Sequence, residues 1–264
     1  MRFLEFYSTL TSSLTVEHIM TERTAFEGFA PDTSKSSAFA FLRARDYDQA
    51  PVFDSLHEIL GFVEMSSLRE NDQSPVADSY SKITPSHMIS NSVRVVDALH
   101  ELAECRFLYV IENRRIAGLV TYADCDKRPV RSLLFTLLGE FESRLIRLMG
   151  ETNSDSDYWM RKLDARRQEY LIGLHQRRKA QNVATSEIEC FSMGDIFQAI
   201  RDEPAIIARI GFEGQGYAAR TERLKTLRDR ISHPGLDLIG SFEELKSIMT
   251  DKESIFDLLR RLDS

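Results

Sequence analysis

The sequence predicts two domains of different class: an α+β first half, followed by an all-α helical bundle. Three observations predict this. A pattern of extended lead-in, helix, strand, turn, strand and closing helix runs twice through the first 127 residues. Strand signals vanish after Pro129, where apolar residues recur at helical spacing. The charge is also divided: residues 1–127 hold 12 Lys/Arg against 19 Asp/Glu and residues 128–264 hold 22 against 22, so the whole net charge of −7 sits in the first half.

A chain of 264 residues with 42% hydrophobic content is long enough for two ordinary domains. With 28% charged residues and no stretch near the roughly 18 to 20 uninterrupted apolar residues of a spanning helix, membrane insertion is excluded. The opening MRFLEFYSTL places Glu5 inside what would be a signal peptide's apolar core, which predicts a cytoplasmic chain. Cys105, Cys125 and Cys190 are odd in number and widely spaced, forming neither a disulfide framework nor a metal clip, so buried thiols are expected. Neither half is basic enough to predict tight nucleic-acid binding from net charge, although a local patch in the second half could engage phosphates.

In the first copy, IMTERTAFEGFAP leads into a helix over SKSSAFAFLRARD, then a hairpin begins at Ala50–Phe53 before Asp54. In the second copy the helix is marked by Val93, Val96, Ala98, Leu99 and Leu102 on one face, with Ser92 expected as its N-cap. Strands follow at 107–111, before Glu112 and Asn113, and at 118–121. Each second strand ends in a glycine-led apolar run, GFVEMSS in one copy and GLVTYAD in the other.

On the lead-in VEHIMT (Val16 to Thr21), the APVFD strand and these paired glycine runs, residues 14 to 127 resemble a tandem pair of CBS domains, a Bateman module, with repeats at about 14–70 and 76–127. The resemblance implies a β-α-β-β-α unit, repeated and packed face to face, in a regulatory domain of residues 1–127. It also implies an adenine-nucleotide ligand such as AMP, ADP, ATP or S-adenosylmethionine. The family's ligand-binding run is matched by Gly118 to Asp124. Thr121 at a strand end can donate to a phosphate, and Asp124 at the following helix start can accept from both ribose hydroxyls. The same residue types also serve as an ordinary N-cap arrangement. The first repeat carries Glu64 and Ser67 at these places, so one working site is expected. Arg106, Arg128 and Arg131 are candidates for neutralising phosphate, against the alternative of solvated surface arginines.

In the second half, Leu133, Leu134, Leu137, Leu138, Phe141, Leu145, Ile146 and Leu148 mark a long amphipathic helix closed by Gly150. Further helices are predicted at about 156–181, 193–201, 217–232 and 242–262, the last with a break near Thr250, and Phe212–Gly216 reads as a connector. The helix at 156–181 carries Arg161, Lys162, Arg166, Arg167, Arg177, Arg178 and Lys179, but Asp164 and Glu169 interrupt the stripe and point to a solvated face.

The fourth of these helices ends in Leu227–Gly235, where Arg228, Asp229, His233 and Pro234 resemble the hallmark of HEPN domains; the all-helical context of residues 128–264 fits. Arg228 and His233 lie five steps apart, about 500° of turn, on partly different faces of an ideal helix. Pro234 disfavours α geometry at His233, so the imidazole is expected to leave the helix end, where the macrodipole favours its protonated form. Metal-independent RNA cleavage needs a base, an acid and cations around the phosphate, which His and Arg can supply. The resemblance adds a homodimer across the motif, with two copies serving one cleft. The expectation is thus a nucleotide-regulated ribonuclease of a stress or defence kind, with RNA as substrate. The alternative is a non-enzymatic nucleotide sensor whose helical half dimerises or binds a partner. No HxxxH or HExxH pair predicts a metal.

Overall fold

The computed structural model describes residues 3–183, 186–212, 216–233 and 235–263. In chain order the elements are α1 (Phe3–Ser13), β1 (Thr21–Glu22), α2 (Lys35–Arg45), β2 (Gln49–Phe53), β3 (Ile59–Glu64), β4 (Met88–Ser90), α3 (Val95–Glu104), β5 (Phe107–Glu112) and β6 (Arg115–Thr121). They continue with α4 (Arg128–Thr152), α5 (Ser156–Met160), α6 (Ala165–Ala180), α7 (Met193–Ile200), α8 (Pro204–Ile210), α9 (Tyr217–Ser232) and α10 (Phe242–Asp263). Two compact units result, Leu14–Asp124 and Met1–Ser13 with Cys125–Ser264. The first residues, expected with the first domain, therefore group with the helical unit.

In the unit Leu14–Asp124 the repeat is visible in hydrogen bonds. β1 pairs antiparallel with β6, Thr21 opposite Leu119, so the lead-in of the first copy joins the sheet of the second. Reciprocally, Ser81 of the second lead-in bridges Phe62 of β3. The second copy forms a sheet in the order β1-β6-β5-β4. The first copy matches it: β2 and β3 pair antiparallel, Ser81 flanks one side and Phe29 the other, parallel to Val52 as Ile89 of β4 is to Val110. The glycines that open each run are required by this crossing. A Cβ at Gly61 would lie 2.2 Å from the Ser81 carbonyl oxygen, and one at Gly118 would lie 2.8 Å from that of Thr21. The sheets meet through Phe62, Phe107 and Tyr109, whose hydroxyl donates to Gln49 at 3.3 Å; burial pushes the Tyr109 phenol well above its ordinary value.

Three local expectations are corrected. Arg94, not Ser92, is the N-cap of α3: its backbone is extended and its carbonyl accepts from the Ala98 amide at 3.0 Å, with no side-chain cap hydrogen bond, while its guanidinium pairs with Asp97 at 2.7 and 2.8 Å and the Ser92 hydroxyl is engaged with Ser90. The first repeat closes on a single 3-10 turn, Met65–Ser67; no helix follows, because Asp72 folds the polar run after it by accepting from the Ser74 amide and hydroxyl. The second repeat closes on the 3-10 turn Tyr122–Asp126 before α4 starts at Arg128.

The helical unit is built on α4, whose buried residues Val130, Leu133, Leu134, Leu137, Leu138, Phe141, Leu145, Leu148 and Met149 follow the three-four spacing. It packs against α1, α7, α8, α9 and α10. Gly150 does not close the helix, which continues to Thr152. The helix expected at 156–181 is two helices. Asp164 accepts from the Arg167 amide at 3.0 Å and caps α6, while Tyr158 and Lys162 converge on the Glu203 carboxylate to hold α5. α8 adds a helix to those the periodicity predicts; its start at Pro204 and a left-handed Gly211 (φ 70°) delimit it. α10 runs through Thr250 unbroken, the Thr250 hydroxyl donating back to the Lys246 carbonyl at 3.0 Å. The Phe212–Gly216 connector lies largely outside the described residues. No helix among the described residues is long and apolar enough to cross a membrane.

Candidate functional site

Two places carry the residues singled out by sequence. The first lies at the end of β6, where Thr121 pairs with Phe107 and the 3-10 turn Tyr122–Asp126 begins. The turn brings Asp124, only 7% exposed, back under the strand end. Its Oδ2 accepts from the Thr121 amide at 2.7 Å and from the Thr121 hydroxyl at 3.1 Å. Its Oδ1 takes a longer contact, 3.4 Å, from the hydroxyl of Thr21 on β1. The two groups expected to face a ligand are therefore engaged with each other, an arrangement of the cap type.

Thr21 is the group that sequence reasoning missed. It stands beside Asp124 only because the lead-in of one repeat crosses to the sheet of the other, a contact spanning 103 residues; the VEHIMT lead-in, which ends at Thr21, was the available signal. The first repeat has no such cluster: Glu64 is exposed, and the Ser67 hydroxyl donates to the Glu64 carbonyl at 2.7 Å.

The three candidate phosphate arginines separate. Arg106 is mostly exposed, its guanidinium 4.0 Å from the Asp48 carboxylate. Arg128 is exposed on the first turn of α4. Arg131 is engaged within the helical unit: its nitrogens donate to the Asp126 carbonyl at 3.0 Å, the Asp126 carboxylate at 3.1 Å, and the carbonyls of Arg230 (2.7 Å) and Leu236. The same Asp126 carboxylate accepts from the Leu238 amide. Asp126 and Arg131 together fasten the segment that follows α9.

The second place is the end of α9. His233 leaves the helix with φ −118° and ψ 93°, its amide still donating to the carbonyls of Asp229 and Arg230, and its side chain is exposed. Pro234, the remaining residue of the motif, lies outside the described residues. Asp229 is exposed. Arg228 is about three-quarters buried. Its Nε donates to Glu142 at 3.2 Å, its Nη1 to the Ser232 hydroxyl at 2.5 Å, and its guanidinium lies 4.8 Å over the Phe135 ring. Glu142, on α4, was not singled out by sequence because the contact spans 86 residues. Burial raises its carboxyl above the ordinary value, opposed by the charge and hydrogen bond of Arg228. Arg228 and His233 thus have different surroundings: the arginine is paired to a carboxylate of its own chain and the histidine faces solvent.

Among the described residues no group of three or more His, Cys, Asp or Glu side chains converges as a metal site would require. No protein-family model matches the chain, and no curated protein matches it. Among solved structures, the chain is similar to the CBS domain of a bacterial CNNM/CorC family Mg2+ transporter in complex with ATP, at 20% identity over 48% of this chain and 94% of that one, with a TM-score of 0.39. It is similar to CBSX2 in complex with AMP, at 23% identity over 46% of this chain and 96% of that one, TM-score 0.38. A hemolysin-like protein containing a CBS domain, from Oenococcus oeni PSU, is 17% identical over 47% of this chain and 95% of that one, TM-score 0.37.

Proposed function

We propose that the chain is an adenine-nucleotide-responsive regulatory protein, with one nucleotide held at the end of β6. The observation that carries this reading is the grouping of Thr121, Asp124 and the crossing Thr21 at the sheet of the second repeat, without a counterpart among the described residues of the first, at the place where the resemblance to tandem CBS domains puts the ligand. Ribose hydroxyls donate to the Asp124 carboxylate, replacing the hydroxyls that it now accepts from, and the released Thr121 hydroxyl turns to a phosphate. Arg106, mostly exposed in the same unit, is the proposed cation for phosphate charge and must then exchange Asp48 for the phosphate.

The test is calorimetric titration of AMP, ADP, ATP and S-adenosylmethionine into wild type and Asp124→Asn. Asparagine keeps an acceptor for the Thr121 amide but loses the charge and one acceptor, so the fold is expected to stand while nucleotide binding weakens by about tenfold or more. Binding by the variant equal to wild type overturns this site.

A second reading, favoured by the exposed His233 at the negative end of α9, is a metal-independent endoribonuclease acting as a homodimer in a stress or defence response. Its chemistry assigns proton transfer to His233 and phosphate charge to Arg228, which must then exchange Glu142 for substrate. Wild type is expected to cleave labelled single-stranded RNA in EDTA and His233→Ala is not; equal cleavage by both, or by neither, sinks this reading and leaves the regulatory one standing.

A further inference from the structure

The sequence sets aside the basic stripe of the second half because Asp164 and Glu169 interrupt it, and the structure removes the first of these two interruptions. Asp164 is the N-cap of α6, its carboxylate turned onto the Arg167 amide. α6 itself carries five Arg/Lys against a single Glu, in a chain whose net charge is −7. At about 100° per residue, Arg166, Tyr170, Gly173 and Arg177 fall within about 60° of one another, and Glu169 lies at the margin of that stripe.

Arg166 and Arg177 are exposed, and neither is paired with a described residue. They stand eleven residues apart, about 17 Å along the axis, a span of several nucleotides of extended strand. Between them Tyr170 is 51% exposed. Its ring is set in place: the Arg167 guanidinium lies 4.8 Å over it, and Arg167 is held by a bidentate pair with Asp195 at 2.7 and 2.6 Å, itself fixed by the cap of α7. Gly173, unfavourable inside a helix, keeps the surface flat beside the ring, since a Cβ there would meet only the Arg177 Nη1 at 3.7 Å.

We propose that this face of α6 binds single-stranded RNA, with Arg166 and Arg177 on phosphates and a base stacked on the open side of Tyr170. Two cations without a partner among the described residues, flanking a fixed, half-exposed aromatic ring, match the backbone charge and base faces of an unpaired strand. The choice of RNA rests on the second reading above; binding does not require cleavage, so the two can fail separately.

The experiment is fluorescence anisotropy with a labelled oligouridine of about 12 nucleotides at about 50 mM salt, the RNA being checked on a gel afterwards for cleavage. Wild type is expected to bind. Arg166→Glu with Arg177→Glu weakens binding by about tenfold or more and flattens its salt dependence. Tyr170→Ala weakens it by about fivefold or more with the salt dependence kept, and Tyr170→Phe binds as wild type. All these side chains are exposed, so unchanged melting temperatures verify the fold. Absence of wild-type binding, a charge reversal without effect, or equal affinity for duplex RNA, whose bases cannot reach Tyr170, overturns the proposal. Uncleaved but bound RNA counts against the nuclease reading alone.

Discussion

Glu142 shows how a single buried carboxyl governs its surroundings. Its proton is bound more tightly in the folded chain than in the unfolded one, because burial outweighs the stabilising effect of Arg228 on its charged form. A carboxyl with a raised folded value weakens the fold as pH climbs from its ordinary 4.5 through the raised value, because the unfolded chain then releases the proton more readily. Glu142→Gln removes that term. Urea unfolding of both proteins across this window is therefore expected to shift in the variant's favour as pH rises. A stability difference independent of pH contradicts the assignment. At the other end of α9's motif, His233→Ala is expected to leave stability within about 0.5 kcal/mol of wild type, as for any exposed side chain, whatever it does to RNA.

Among elements, the crossed lead-ins and the clamp after α9 give the strongest predictions. Gly118→Ala drives a methyl group against Met20 and the Thr21 backbone and is expected to destabilise by about 1–3 kcal/mol in denaturant unfolding. Gly139→Ala, with nothing within 4 Å on the middle of α4, is expected to stabilise by about 1 kcal/mol. The same sign for both contradicts the packing described. Arg131→Gln strips charged donors from Asp126 and from the carbonyls of Arg230 and Leu236 and is expected to destabilise by about 2–3 kcal/mol, whereas the exposed Arg128→Gln changes stability by less than about 0.5 kcal/mol.

These elements also show what a sequence reveals. The hairpins, α4, α7 and α9 were legible because apolar period and turn residues agree with the final packing. The glycine runs were legible as a repeat, since each must admit a crossing strand. The gap between α5 and α6 was hidden, because Asp164 reads equally as a charged helix residue and as a cap. Ser92 misled because a serine is the more usual cap than Arg94 with its Asp97 partner. At the candidate sites, motif alone singles out Thr121, Asp124, Arg228 and His233. Thr21 and Glu142 were not, because their contacts close over 103 and 86 residues, beyond the reach of any local pattern.

At the scale of the whole chain, a duplicated α+β unit and a helical unit divide the residues between them. The chain passes from one to the other within the single 3-10 turn Tyr122–Asp126, which carries Asp124 of the first and Asp126 of the second. Asp124 answers to Thr121 and Thr21, while Asp126 answers to Arg131 and Leu238.

Calorimetric titration of adenine nucleotides into wild type and Asp124→Asn is the decisive test of the single nucleotide site proposed at the end of β6. One nucleotide bound per chain by wild type, weakened by about tenfold or more in the variant, is the predicted result. No binding of any adenine nucleotide, or undiminished binding by Asp124→Asn, would contradict it.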